Sequence, residues 1–271
     1  MKRAAAVMRH PDLESVIESK RRYPTLDGLV SDSQLNEHLW RDGVELDDGK
    51  PLTLVRALYS AHRVPDFLPV AAALESQLSA LAPLVARGRR GRFTKQLLNG
   101  PQFLNALSEL ALAMRLQIEG WGVELASPFH DNAKDVDIRA NRGPAIRFVE
   151  VANLAPESAA ELVEGFMEKP GGQPLDRRLV GKVVSKYKAK FEKAIEEGWV
   201  GDVWIAIDFG KQHDLSLDLR FRRPLTRHDW RKGAAAELHA TCPGLRGVVY
   251  YQSTAVHPCA DEIEWTPTSQ T

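Results

Sequence analysis

The segment Asp135–Asn153 constrains the fold of this chain more than any other stretch. It reads DVDIRANRGPAIRFVEVAN, in which two runs of alternating apolar and polar residues flank a short linker at Asn141–Pro144. Alternation with a period of two is typical of β-strands, and the linker suits a hairpin turn. The sequence therefore predicts two strands, Val136–Ala140 and Ile146–Leu154, that pair through this turn.

Each of these predicted strands carries one central carboxylate. Asp137 and Glu150 both lie between apolar neighbours, so each side chain is expected on the face opposite those neighbours. If the two strands pair, both carboxylates meet on one face of the sheet, where they favour a divalent metal ion. Asp135 competes with Asp137 for the same face, and solvated strand acids are the alternative interpretation.

The elements around the two strands predict the fold class. A helix over Gln102–Glu119 contains Glu109 among its apolar residues, where an unpartnered carboxylate is costly. A strand at Gly122–Ser127 follows it, and a long helix at Leu179–Glu197 and an apolar strand at Asp202–Phe209 follow the hairpin. This order predicts an α/β fold with a mixed central sheet flanked by helices.

The chain divides into three predicted parts. Residues 1–98 form an N-terminal arm and helical extension, residues 99–210 form the core, and residues 211–271 form a C-terminal extension packed on the core. The other expected elements, in chain order, are a loosely ordered arm over 1–48 with a short helix near Ser33–Trp40, two helices within Leu52–Leu84 broken near Pro65, a basic connector at Ala86–Lys95, an insertion at 155–177 with a short helix near Ala159–Met167, a helix near Thr226–His239, a strand at Gly247–Tyr251 and a tail.

Charge and hydropathy narrow the classes of protein. Lys and Arg together number 36, as do Asp and Glu, so a nucleic acid would have to bind in a local basic groove. The sequence has no apolar run near the ~20 residues that span a bilayer, and its start lacks the apolar stretch of a signal peptide. These features predict a cytoplasmic protein with no membrane partner, and they leave the oligomeric state open, a homodimer included.

The order of acids and elements resembles the PD-(D/E)xK nuclease superfamily, whose restriction-endonuclease-like core runs helix, three-stranded meander, helix, strand over what would be residues 101–210. The sequence VDIRA around Asp137 looks like the VD-x-x-A strand of methyl-directed restriction enzymes, and FVEVAN around Glu150 looks like their hydrophobic-E-x-K strand. The resemblance implies a metal-dependent nuclease acting on DNA or RNA, with Glu109, Asp137 and Glu150 holding Mg²⁺ or Mn²⁺.

The sequence departs from that family at one position, because Ala152 stands where the motif has a catalytic Lys. The following helix carries Lys182, Lys186, Lys190 and Lys193 on one face. Some members of the fold supply the Lys from this helix, so Lys186 is the first candidate and Lys182 the second. A solvated lysine face and a phosphate-binding face are the alternatives. If no lysine substitutes, the chain is an inactive nucleic-acid-binding or protein-interaction module of the same fold.

Two further groups of residues are candidates for binding. The run with Arg89, Arg90 and Arg92, together with Lys190, is a candidate nucleic-acid-binding surface, and a solvated linker explains the run equally well. The residues His239, Cys242, His257 and Cys259 form a weaker zinc candidate, because neither pair has the spacing of a CxxC knuckle. A Cys242–Cys259 disulfide is not expected in a reducing compartment.

Overall fold

The computed structural model of this chain describes residues 8–43, 53–63, 68–81, 90–130, 135–154, 175–209, 228–253, 259–260 and 263–268. Elements within these ranges are numbered in chain order. The helices are α1 (Leu13–Lys20), α2 (Pro24–Leu29), α3 (Asp32–Asp42), α4 (Leu54–Arg63), α5 (Leu68–Ala80), α6 (Arg90–Leu98), α7 (Gly100–Ile118), α8 (Leu175–Lys190), α9 (Glu192–Glu196) and α10 (His228–Thr241). The strands are β1 (Gly122–Ser127), β2 (Val136–Arg142), β3 (Ala145–Asn153), β4 (Asp202–Asp208), β5 (Leu245–Tyr251) and β6 (Glu264–Pro267).

The six strands form one sheet in the order β1 to β6. Strands β1, β2 and β3 make an antiparallel meander, β3, β4 and β5 run parallel, and β6 returns antiparallel to β5. The predicted α/β class with a mixed central sheet flanked by helices is confirmed. None of the described helices is both long and apolar enough to cross a membrane.

Helices cover both faces of the sheet. Val149 and Val151 of β3 pack in one buried cluster with residues of α7 and of the N-terminal helices, and this side is called the α7 face. Ala152 and Ile205 lie in a second buried cluster with residues of α8 and α10, on the α8 face. Because successive side chains of a strand point to opposite faces, Glu150 belongs to the α8 face.

The elements of the predicted core have close counterparts in the structure. Strand β1 has the predicted bounds, β2 and β3 begin or end within two residues of theirs, and α7 begins two residues earlier than predicted. The long helix after the insertion is interrupted at Phe191, which separates α8 from α9. Phe191 is fully buried, and the centroid of its ring lies 5.1 Å from that of Phe129. The interruption of the helix therefore coincides with a buried aromatic contact.

The predicted short helix near Ser33–Trp40 is present as α3, but the prediction of a loosely ordered arm is wrong for the residues of α1 and α2, which form helices. Apolar side chains of these helices, such as Val16 and Leu26, are fully buried in the cluster of the α7 face. The ammonium group of the buried Lys20 lies 2.6 Å from Asp32 and 3.1 Å from Asp27, which compensates its charge. The short lengths of α1 and α2 give little periodicity from which to predict them.

Three other predictions need correction, and several lie outside the described residues. Helix α6 occupies the second half of the predicted basic connector, because Phe93 and Leu97 bury their side chains. Strand β6 lies in the predicted tail, and α8 starts at Leu175 inside the predicted insertion. Residues outside the described ranges include the break near Pro65, the connector residues 86–89, the helix at Ala159–Met167 and the rest of the insertion up to residue 174.

Candidate functional site

Asp137 and Glu150 face each other where β2 and β3 separate. The last pair of the β2–β3 ladder is Ile138 with Val149, so the next positions in the same register are Asp137 and Glu150. The backbone N–H of Val151 donates to Oδ2 of Asp137 at 2.9 Å, so a carboxylate replaces the carbonyl acceptor that the ladder would otherwise supply. Both acids are almost completely buried. The prediction that they meet on one face therefore agrees with the observed register.

The neighbouring strand is distorted at the same level. Ala126 of β1 lies opposite Asp137 in the β1–β2 register and is skipped by the ladder, which pairs Leu125 with Ile138 and Ser127 with Val136. Among the described residues Ala126 is the non-glycine residue with a positive φ, at 50°. A buried alanine in this left-handed region is strained, and such strain concentrates at functional sites. The distortion of β1 and the separation of β3 thus both occur beside Asp137.

Two lysines of α8 bind the carboxylate of Glu150. Nζ of Lys186 donates to Oε1 of Glu150 at 3.0 Å. Nζ of Lys190 lies 3.0 Å from Oε2 of Glu150 and donates to the backbone carbonyl of Asp135 at 2.6 Å. The steps of four residues along α8 place both ammonium groups on the same side of the helix.

The charges in this site change one another's acidity. Burial raises the pKa of Glu150 and the nearby Asp137 carboxylate raises it further, while Lys186 and Lys190 oppose the change. Burial lowers the pKa of Lys186, but the carboxylates of Glu150, Asp137 and Glu109 outweigh burial, so this pKa is raised overall. Lys186 is therefore a charged ammonium at neutral pH.

The remaining candidate lysine and the helix acid lie at the margin of the site. Of the two candidate lysines, Lys186 is the one that contacts Glu150 among the described residues. Lys182 is at the surface, and partial loss of solvation and the charge of Lys186 lower its pKa. Glu109 is buried on α7, so it comes from the opposite layer, and Nε2 of Gln96 donates to its Oε1 at 3.4 Å. Its charge still contributes to the raised pKa of Lys186, which places it within electrostatic range of the site.

A buried polar network on the α7 face was not predicted. Asp208, at the carboxyl end of β4 and 1% exposed, accepts hydrogen bonds from the hydroxyl of Ser108 at 2.6 Å and from the backbone N–H of Ser253 at 2.9 Å. The Ser253 hydroxyl also donates to Asp208. The hydroxyl of Tyr251 donates to the carbonyl of Ser108 at 3.2 Å. Burial raises the pKa of Tyr251 far above its usual value, and the charges of Asp208, Glu109 and Asp137 add to this. Because Ser108 precedes Glu109, the network fixes α7 to the sheet beside the two strand acids.

The predicted nucleic-acid-binding residues that the structure describes lie on two different helices. Lys190 is only 16% exposed and binds Glu150 and the Asp135 backbone. Arg90 and Arg92 belong to α6, and Arg89 lies outside the described residues. The described structure thus brings one of these four residues, Lys190, into the candidate site.

The sequence's zinc candidate finds no support. No disulfide joins Cys242 and Cys259, both of which lie in the described part of the chain. Burial raises the pKa of Cys242 to about 11, which makes it a poor thiolate ligand. His257 lies outside the described residues, and among the residues that are described no group of three His, Cys, Asp or Glu side chains is arranged to hold a metal ion.

The donor chemistry of the site nevertheless fits a magnesium-type ion. Mg²⁺ is commonly bound by one or two carboxylates, with water and substrate phosphate completing its shell, so a set of three protein ligands is not required. Asp137 and Glu150 supply two carboxylates in one buried site, and burial together with the charge of Asp137 raises the pKa of Glu150. Such an ion would polarise a phosphodiester and lower the pKa of a bound water.

Comparisons of this chain with protein-family models, with curated proteins and with solved structures gave no match.

Proposed function

We propose that this chain is a metal-dependent phosphodiesterase acting on nucleic acid, with a restriction-endonuclease-like core in which Lys186 replaces the missing motif lysine. The observation that carries the proposal is the hydrogen bond from Nζ of Lys186 to Glu150 at 3.0 Å. Asp137 and Glu150 would hold Mg²⁺ or Mn²⁺, and Glu109 would contribute through its charge. A homodimer and a cytoplasmic location remain predictions from the sequence.

The topology supports the proposal. The helix α7, the meander β1 to β3, the helix α8 and the strand β4 follow the order that the resemblance implies. The two acids lie just beyond the last pair of the β2–β3 ladder, beside the two lysines of α8.

Lys186 has the properties of an electrostatic catalyst. Its pKa is raised, so the ammonium keeps its proton at neutral pH and cannot serve as a general base. A fixed ammonium stabilises the negative charge that develops on a phosphoryl oxygen, and it loses little energy to reorganisation because Glu150 already holds it in position. Lys186 would therefore act on the scissile phosphate or on the attacking water by charge and hydrogen bonding.

A second candidate function follows from Lys190. Its ammonium lies 3.0 Å from the second oxygen of Glu150, so both oxygens of this carboxylate face a protein cation. If a metal ion displaces neither lysine, the lysines neutralise the charge of the acids and no metal binds. The chain is then an inactive nucleic-acid-binding or protein-interaction module of the same fold. The zero formal net charge is compatible with this alternative.

A nuclease assay on the full chain tests the proposal. Supercoiled plasmid, single-stranded DNA and single-stranded RNA are incubated with Mg²⁺, Mn²⁺ or a chelator. We expect cleavage of at least one substrate with metal, and its loss with the chelator. The absence of metal-dependent cleavage of all three substrates, in a protein shown to be folded by circular dichroism, would contradict the enzyme and favour the inactive module.

A further inference from the structure

The two oxygens of Glu150 are held by unequal contacts. Oε1 accepts a hydrogen bond from Lys186 at 3.0 Å. Oε2 lies 3.0 Å from Nζ of Lys190, but within the part of the chain that the structure describes this oxygen accepts no hydrogen bond of good geometry. The contact between Oε2 and Lys190 is therefore a charge contact without an aligned donor, and it is the weaker of the two.

Lys190 also has a second partner. Its ammonium donates to the backbone carbonyl of Asp135 at 2.6 Å, a shorter contact than its approach to Glu150. Among the described residues, Lys186 donates its side-chain hydrogen bond to Glu150. If the carboxylate of Glu150 turns to another cation, Lys190 keeps its hydrogen bond to the carbonyl of Asp135, just before β2, whereas Lys186 would lose its hydrogen bond.

The charge balance of the site requires that one of the two lysines leaves Glu150 when a metal ion binds. Asp137 and Glu150 bring two negative charges, and Lys186 and Lys190 bring two positive ones, so a divalent cation enters a site that is already neutralised. Like charges a few Å apart in a buried site repel each other strongly. A metal ion can bind Glu150 with useful affinity only if one ammonium moves away.

We infer that Lys190 occupies the metal-facing oxygen of Glu150, and that displacement of Lys190 from Oε2 towards the Asp135 carbonyl sets the metal affinity of this site. The inference rests on the proposed function. It assigns Oε2 as the metal ligand, leaves Lys186 on Oε1 during catalysis, and makes Lys190 a positioning residue that competes with the metal.

Metal binding by three matched variants tests this assignment. Isothermal titration with Mn²⁺ alone, without nucleic acid, is carried out on the full chain and on Lys190→Gln, Lys186→Gln and Lys193→Gln. The first two substitutions each remove one positive charge 3.0 Å from Glu150, so they are matched in charge and distance. Lys193 is 87% exposed and pairs with Glu197 at 3.7 Å, so its variant controls for the loss of a surface lysine.

We expect Lys190→Gln to bind Mn²⁺ at least about tenfold more tightly than the unaltered chain, which is within the range by which neighbouring groups tune metal affinity. Lys186→Gln should show a clearly smaller gain, because Oε2 remains covered by Lys190, and Lys193→Gln should show none. Thermal melts establish that each variant is folded, and Lys190→Met, which keeps most of the apolar stem, replaces Lys190→Gln if the latter fails to fold.

The other outcomes separate the inference from the proposed function. Equal gains in Lys190→Gln and Lys186→Gln would show that only the net charge matters, which overturns the assignment of Lys190. Binding that Asp137→Ala abolishes but that Lys190→Gln leaves unchanged would also overturn it, while the metal site of the proposed function stands. If neither the unaltered chain nor any variant binds Mn²⁺, both the inference and the metal-dependent function fail.

Discussion

Replacing Lys186 by Met is expected to slow metal-dependent cleavage by roughly 100- to 1,000-fold, the usual cost of losing one preorganised group that stabilises transition-state charge. The substitution keeps most of the apolar stem but removes the ammonium that hydrogen bonds to Glu150 at 3.0 Å. In the proposed function this ammonium stabilises negative charge on the reacting phosphate, so its loss should appear in the rate of the chemical step. Binding of Mn²⁺ should not weaken, since a competing positive charge is removed.

The measurement is the single-turnover cleavage rate at saturating Mn²⁺, with Lys193→Met as the matched control. Lys193 lies beyond the end of α8 with an exposed side chain, so its variant should retain the rate within about threefold. Lys182→Met separates the two candidate lysines, because Lys182 does not reach Glu150 in the described structure. A loss in Lys182→Met as large as that in Lys186→Met would contradict the assignment of Lys186.

Replacing Asp208 by Ala is expected to lower the free energy of unfolding by about 3 kcal/mol, because several buried donors then lose a charged acceptor. The carboxylate accepts from the Ser108 hydroxyl at 2.6 Å and from the Ser253 backbone at 2.9 Å, at a position that is 1% exposed. The affected contacts join α7 to the ends of β4 and β5. For a chain of this length the corresponding fall in Tm is roughly 6–12 °C.

Thermal and urea unfolding of two variants measure this effect. Asp208→Asn keeps the shape and one acceptor oxygen, so it should cost clearly less than Asp208→Ala. Ser253→Ala removes one hydroxyl donor and leaves the carboxylate in place, so about 1 kcal/mol is expected. If Asp208→Ala unfolds within about 1 kcal/mol of the unaltered chain, the network does not hold α7 to the sheet.

The sequence predicts the sheet around the candidate site well, because its signals are local. Alternation around Asp137 and Glu150 predicts two strands and their common face, and the Asn141–Pro144 linker predicts their pairing. The helical spacing of apolar residues predicts α7 with Glu109, and the spacing of the lysines along the next helix predicts one lysine face that includes Lys182 and Lys186. All of these patterns lie within short windows, where periodicity is the dominant signal.

What the sequence misses depends on distant residues or on short elements. Asp208 is 100 positions from Ser108 and 45 positions from Ser253, so no local pattern predicts the network that joins them. The sequence predicts Lys190 as a nucleic-acid-binding residue, whereas the fold brings its ammonium to Glu150 and to the carbonyl of Asp135 just before β2. Strand β6, with four residues, and the N-terminal helices α1 and α2 are too short to give a clear period.

The central claim is that Asp137 and Glu150 form a working metal site, and its most direct test compares two neighbouring acids. The single-turnover cleavage rate at saturating Mn²⁺ is measured for the unaltered chain, for Asp137→Asn and for Asp135→Asn. Asp135 is two residues before Asp137 and directly precedes β2. A working metal site predicts that Asp137→Asn loses at least about 100-fold in rate, while Asp135→Asn stays within about threefold. Equal rates for Asp137→Asn and the unaltered chain, in variants that remain folded, would contradict it.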